Sequence, residues 1–246
     1  MLDGEDLIEH SGNLFEESQP TGRRLAPGSF TLLAPCEPSK IVALWNNFHA
    51  LAAKLGKAAP AHPLFLLKPG TSVIGPGESI LRPKDYAGKI AYEGELGIVI
   101  GRRCKDVSVT EAPELIFGYT CVNDVTAAEV LNENSDFAQW CRSKGYDTFG
   151  SLGPVIATQL DWREAWVITR LDGVERQNYP VSDMIMSPAE LVSRISHDMT
   201  LLAGDVIACG TSARARWVVA SATRRPPPTS SMTSCGDCVF SARYSV

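Results

Sequence analysis

Apolar and polar positions alternate most tightly along Tyr92-Glu93-Gly94-Glu95-Leu96-Gly97-Ile98-Val99-Ile100-Gly101. A period of two predicts a strand with Leu96, Ile98 and Ile100 on one face and Glu93 and Glu95 presenting their oxygens to one point on the other. A second run, Ile116-Phe117-Gly118-Tyr119-Thr120-Cys121-Val122, predicts a strand that delivers Asn123-Asp124 at its end. Residues 63–69 predict a short buried strand with Lys68 near its end, and residues 30–42 a strand, a proline-stiffened connection and the start of another. Asp172-Gly173 between the alternating stretches 166–171 and 174–177 predicts a hairpin. Residues 201–211 predict a turn and a strand ending in Gly210-Thr211.

Helical spacing appears in fewer places. Residues 47–55 place Phe48, Leu51, Ala52 and Leu55 on one face. Residues 188–196 predict a helix with Ser187 as N-cap and Pro188 first. A short helix is expected to start at Thr110 as N-cap. Residues 126–142 also predict a helix, burying Val130, Leu131, Phe137, Trp140 and Cys141, with an interruption at Asn132-Glu133-Asn134-Ser135.

The fold class expected is α+β and β-rich. Three parts are expected: a small N-terminal segment over residues 1–35, anchored by Leu14-Phe15; a catalytic, metal-binding domain over 36–211; and an atypical tail over 212–246. The tail contains neither Lys nor Glu but carries Arg224-Arg225-Pro226-Pro227-Pro228 and a serine-rich stretch. With 246 residues, 44% of them apolar, the chain can bury a substantial core. A net charge of −5, spread along the chain, leaves no footprint for nucleic acid or an anionic membrane. No apolar run reaches the length of a membrane span and the start is acidic, so a soluble cytoplasmic protein is expected. Seven cysteines, an odd number, lie singly at Cys36, Cys104, Cys121 and Cys209 among others, which suits free thiols in a reducing compartment. Cys235 and Cys238 have ligand-like spacing but no second pair, and are taken as coincidence.

Glu93, Glu95 and Asp124 form the candidate metal site. Glu-x-Glu alone is common on solvated strand faces; here an apolar run follows immediately and no further charge flanks the pair. Three carboxylates make a hard, oxygen-only site, better suited to Mg²⁺, Mn²⁺ or Ca²⁺ than to Zn²⁺. Lys144, ahead of Gly145-Tyr146-Asp147-Thr148-Phe149-Gly150, is on spacing alone an ordinary surface lysine.

The segments 93–101, Gly118-Tyr119-Thr120-Cys121-Val122-Asn123-Asp124-Val125-Thr126-Ala127 and Lys144-Gly145-Tyr146-Asp147-Thr148-Phe149 resemble the signature of the fumarylacetoacetate hydrolase family, and the resemblance runs over residues 12–211. It implies a β-rich catalytic fold with a small N-terminal domain, a homodimer, and a divalent cation that stabilises the enolate of a 2-oxo acid. Lys144 then acts as the acid–base or enolate-stabilising group, and Gly210-Thr211 resembles a loop whose threonine faces substrate. His49 resembles the histidine of a water-activating dyad, but Ala52 stands where the acidic partner would be. Ala128 and Leu131 replace an arginine and a glutamine that many members offer to substrate. These departures favour the isomerase and decarboxylase branch acting on 2-hydroxy-dienedioates of aromatic catabolism over C–C hydrolysis. Acylpyruvate hydrolase or oxaloacetate decarboxylase activity is the next reading, and a non-catalytic relative the third. The partner implied is a small keto or enol dicarboxylic acid. The family's closing strands are not legible after Thr211, so either a shifted reading frame near Ser212 or a divergent, partly disordered tail is expected, with an open sheet edge.

Overall fold

The computed structural model describes residues 1–3, 6–212, 216–218 and 239–240. In chain order they form β1 (Leu2–Asp3), β2 (Asp6–Gly12), β3 (Ser18–Leu25), β4 (Lys40–Trp45), α1 (His49–Leu55), β5 (Leu64–Pro69), β6 (Val73–Ile74), β7 (Ile90–Tyr92), β8 (Gly94–Ile100), β9 (Ile116–Asp124) and β10 (Thr126–Ala127). Then come α2 (Ala128–Leu131), α3 (Trp140–Lys144), β11 (Gly150–Leu152), β12 (Trp166–Leu171), β13 (Val174–Pro180), α4 (Pro188–Asp198), β14 (Val206–Ala208), β15 (Arg216–Val218) and β16 (Val239–Phe240). Strands dominate, as the alternation predicts.

Seven strands in the order β5-β4-β14-β8-β9-β11-β6 make the central sheet. β8 lies mid-sheet, antiparallel to both β14 and β9. Its side chains sort by parity. Leu96, Ile98 and Ile100 enter a core with Leu191, Val192 and Ile195 of α4 and Val167 and Tyr179 of the β12–β13 hairpin. Val99 points to the opposite layer, with Ile41, Ala43, Leu66 and Val122. Each such side chain stabilises the fold by about 2 kcal/mol on full burial. A buried carboxylate ties β14 to its parallel neighbour β4: Asp205 accepts from Ser39 N (3.1 Å), Ser39 Oγ (2.6 Å) and Leu202 N (2.8 Å) and pairs with Lys40.

The sheet is strongly curled. In a flat sheet β5 and β9, four strands apart, would be about 19 Å from each other. Yet Lys68 Nζ on β5 lies 2.6 Å from Asp124 Oδ1 on β9. A Cβ built on Gly150 of β11 would likewise come within 3.0 Å of Ile41 Cδ1 on β4, also four strands away. Curling brings the sheet's outer strands together over the face that carries Val122.

Local signals account for most elements. Ser187 Oγ accepts from Glu190 N while the Glu190 carboxylate accepts from Ser187 N (2.8 Å), a capping box that starts α4. Asp172 and Gly173 both have positive φ, 52° and 77°, as a two-residue hairpin turn requires. On α1, Phe48, Leu51 and Ala52 are buried. Phe15 stacks edge-to-face on Phe117 at 5.0 Å and anchors the β1–β3 sheet, whereas Leu14 is exposed.

Three expectations are corrected. Residues 30–39 hold no strand; Pro35 and Pro38 deny the ladder its donors and strand structure begins at Lys40. In residues 126–142 the interruption expected at Asn132–Ser135 is present but runs on to residue 139, and what remains is β10 and two short helices rather than most of a long one. Between the helices Asn134 Oδ1 accepts from Asp136 N (2.8 Å) and Phe137 N (3.2 Å), a side-chain turn that competes with helix. Phe137 and Cys141 are exposed and only Val130 of the expected buried side is fully covered. Thr110 caps nothing; residues 112–115 form a 3₁₀ turn preceded by Ser108–Glu111 hydrogen bonds. Of the tail, β15 pairs with β7 and β16 with β12; the remaining expectations on 213–246, the Cys235–Cys238 pair included, fall outside the described residues.

Candidate metal centre

On the β8–β9 ladder Glu95 faces Val122, so Asp124, two residues further, projects from the same face. Glu93 departs from the continuous strand expected over residues 92–101. It interrupts the chain between β7, which pairs with β10 and β15, and β8 in the central sheet. Its backbone is fixed there: Glu93 N donates to Asn123 Oδ1 (3.1 Å) and Asp124 N donates to Glu93 O (2.9 Å). The break turns the Glu93 carboxylate toward the other two, and all three offer oxygens within 4.8 Å of one another. Gly94 between them lets the hairpin approach, since a Cβ there would lie 2.1 Å from Thr169 Oγ1.

Two buried lysines complete the cluster. Lys144 ends α3 and donates to Glu93 Oε2 (2.7 Å) and to Asp124 Oδ2. Lys68, wholly buried, donates to Asp124 Oδ1 (2.6 Å) and Val125 O (3.2 Å). Counted as fully ionised, three carboxylates and two ammonium groups carry one negative charge in excess. Burial, reinforced by Asp124 and Glu93, pushes the Glu95 carboxyl well above the ordinary range. Burial opposes charge on Asp124 too, but Lys144 and Lys68 outweigh it and hold that carboxyl low. Burial also works against the Lys144 ammonium; Asp124, Glu93 and Glu95 outweigh it and raise its affinity for protons. For Lys68 burial prevails and the shift is downward. The donor set fits a hard divalent cation: three carboxylates, no nitrogen or sulfur, two of the three shielded from solvent.

Thr211 is brought to this cluster and His49 is not. Gly210 N donates to Glu95 Oε2 (2.8 Å), and the buried Thr211 follows directly. His49 is the exposed first residue of α1, and among the described residues no hydrogen bond or ion pair links it to the carboxylates. Ala52 is buried; at the helix start Asp183 Oδ2 accepts from Ala50 N (3.0 Å). Sequence reasoning missed Lys68 as a site residue, although its i, i+2 relation to Leu66 on an inward face was legible. It also missed Gln177 and Tyr179, whose only signal was parity along the hairpin.

Fold and site together define a class: β-rich α+β proteins with a buried carboxylate triad under two buried lysines, suited to small anionic molecules and a hard cation. The model described as Fumarylacetoacetate (FAA) hydrolase C-terminal matches residues 40–239, and the one described as Rv2993c-like, N-terminal matches residues 1–35. The chain belongs to the fumarylacetoacetate hydrolase family. The match runs past Thr211, where the resemblance legible by motif ends. The 5-carboxymethyl-2-hydroxymuconate delta-isomerase of Mycobacterium smegmatis is 39% identical in sequence, with a TM-score of 0.80 over 89% of this chain and 84% of that one. The 2-hydroxyhepta-2,4-diene-1,7-dioate isomerase of Mycobacterium marinum is 37% identical, with a TM-score of 0.78 over 87% and 79% of the two chains. The oxaloacetate tautomerase YisK of Bacillus subtilis is 34% identical over 223 residues, covering 86% of this chain and 73% of the relative. Among the described residues no helix is long and apolar enough to cross a membrane.

Proposed function

We propose that this chain is a divalent-metal-dependent enzyme that isomerises, tautomerises or decarboxylates 2-oxo and 2-hydroxy-dienoic dicarboxylic acids through an enolate, working as a homodimer in the cytoplasm. One observation carries this reading: Glu93, Glu95 and Asp124 converge within 4.8 Å with Lys144 against two of them. A divalent cation held by these three supplies positive charge where an enolate oxygen develops.

The chain's own residues do the rest. Lys144 keeps an ammonium group at the edge of the triad, where it stabilises the enolate and returns a proton to carbon. Lys68 offsets the charge of Asp124 from the opposite side and so fixes that carboxylate's orientation. Thr211 offers its hydroxyl to a substrate oxygen. Burial of Glu95, Asp124 and Lys144 keeps water from the reacting centre, which strengthens each of these interactions. With Ala52 in place of an acid beside His49, no histidine–acid pair is set to activate water among the described residues, which favours isomerisation over hydrolysis. Ala128 and Leu131 make the pocket wall less polar than an arginine and a glutamine would.

Titration calorimetry with Mg²⁺, repeated with oxalate as an enolate mimic, tests the proposal. Oxalate should bind only when Mg²⁺ is present, and Asp124→Asn should abolish both. The loaded protein should then ketonise 2-hydroxy-dienedioates or enol-oxaloacetate, followed by loss of the enol absorbance. Oxalate binding of equal strength with and without Mg²⁺, or an Asp124→Asn protein that keeps both ligands, would refute it.

A further inference from the structure

Three side chains of the β12–β13 hairpin project toward the metal strand, and all are buried: Thr169, Gln177 and Tyr179. Thr169 and Gln177 are directly opposite across the hairpin, with Val167 and Tyr179 the next pair on that face. Gln177 uses both ends of its carboxamide. Its Oε1 accepts from the backbone N–H of Gly94, the residue between Glu93 and Glu95, at 2.9 Å. Its Nε2 donates to Thr211 Oγ1 at 2.9 Å. Tyr179 runs alongside, donating to Gly94 O (2.7 Å) and lying 3.4 Å from Gly210 O.

The directions of these bonds matter. Because the amide nitrogen can only donate, Thr211 Oγ1 is bound as an acceptor on that side. Its hydrogen is therefore directed away from Gln177, toward the Tyr179 oxygen that shares a hydrogen bond with it, and a ligand oxygen competes with Tyr179 for that hydrogen. Because the amide oxygen is taken by the Gly94 N–H, a flipped carboxamide would set its NH₂ against that donor and reverse the polarity of the Thr211 bond, so one orientation is fixed. The single side chain thus sets the distance and hydrogen-bond polarity between the strand that carries two carboxylates and the threonine that follows Gly210.

We propose that Gln177 is a positioning residue that holds the Thr211 hydroxyl in register with the carboxylate strand, so that Thr211 donates to the bound dicarboxylate. This rests on the reading of the site given above, and it deepens that reading by naming what orients the substrate-facing hydroxyl. Gln177 itself touches neither the cation nor the substrate.

A double-mutant cycle on oxalate affinity at saturating Mg²⁺ tests it, with Mg²⁺ affinity measured separately. Gln177→Met, uncharged and of equal length, and Thr211→Val should each weaken oxalate about tenfold, the effect of one well-placed hydrogen bond to an anion. The double variant should be no weaker than Thr211→Val alone, and Mg²⁺ affinity should stay within about twofold of wild type. A purely structural role would lower the unfolding midpoint but would not make the two substitutions non-additive. Additive losses of about a hundredfold, unchanged oxalate affinity in Gln177→Met, or Mg²⁺ affinity falling as far as oxalate affinity would each overturn the inference. If Gln177→Met does not fold, Gln177→Glu, which keeps an acceptor for Gly94 N–H, takes its place in the same cycle. Failure of the enzymatic reading shows up differently, as wild-type oxalate binding that ignores Mg²⁺.

Discussion

Replacing Lys68 with Met separates the two jobs of the carboxylate cluster. Methionine fills the volume of the lysine stem without the charge. What is lost is an ion pair at 2.6 Å to Asp124 and a hydrogen bond at 3.2 Å to Val125 O, both fully buried. Removing one partner of a buried pair costs about 3–5 kcal/mol. Asp124 keeps Lys144, so the lower end applies and the metal-free protein should lose about 3 kcal/mol. Losing the ammonium meanwhile makes the cluster more negative, which favours a divalent cation. In wild type, Mg²⁺ at about a hundred times its Kd adds about 2.7 kcal/mol to stability, and each tenfold gain in affinity adds about 1.4 kcal/mol more. Urea unfolding of both proteins, in EDTA and in Mg²⁺, should therefore show Lys68→Met weakened by about 3 kcal/mol in EDTA but by at least about 1 kcal/mol less in Mg²⁺. Equal losses in the two buffers would mean that Lys68 does not oppose the cation, a wild type no more stable in Mg²⁺ than in EDTA would mean that the carboxylates hold none, and no loss in EDTA would mean that the Lys68–Asp124 pair does not stabilise the fold.

Two further outcomes can be checked by unfolding alone. Gly94→Ala would place a Cβ 2.1 Å from Thr169 Oγ1 and should destabilise by about 2 kcal/mol, an overpacking cost that Thr169→Ala partly relieves in the double variant. Glu190→Ala should cost about 1 kcal/mol at neutral pH through loss of the capping box. The Ser187 hydroxyl, then its backbone N–H, holds the Glu190 carboxyl below its ordinary value of 4.5. A depressed folded value means the contribution is complete above 4.5 and fades as pH falls through the folded value. The difference between the two proteins should therefore shrink in acid; a constant difference across that range would exclude the carboxylate as its source.

Much of the central sheet was legible because one alternation serves both core and site. A slip of one residue between β8 and β9 would expel Leu96, Ile98 and Ile100 from the core layer facing α4, so the hydrophobic pattern fixes the register. The same register then commits Glu95 and Asp124 to a common face. The hairpin was legible from Asp172-Gly173, and α4 from Ser187 and Pro188. In residues 126–142 the interruption at Asn132–Ser135 was legible but its extent was not, because helical spacing there competes with a side-chain turn at Asn134 whose strength depends on context. Glu93 was placed on the right side of the chain for the wrong reason: the strand breaks at it, and the break turns its carboxylate inward.

What the sequence could not express is curvature. Parity along β5 puts Lys68 on the same side as Leu66, but says nothing of which strand that side will meet four positions across a sheet. Flat, the sheet would leave Lys68 far from Asp124; curled, it makes them a buried pair and lets a lysine 56 positions away in sequence govern the central carboxylate. The hairpin poses the same difficulty in another direction. Gln177 and Thr211 are separated by 34 positions and meet only because the β12–β13 hairpin and the end of β14 both close on Gly94. Strand alternation therefore specifies the carboxylates, which lie on neighbouring strands of one ladder. The groups that tune them come from a strand four places away in the curled sheet and from a separate hairpin, which is why Lys68, Gln177 and Tyr179 became visible only once the sheet had closed around them.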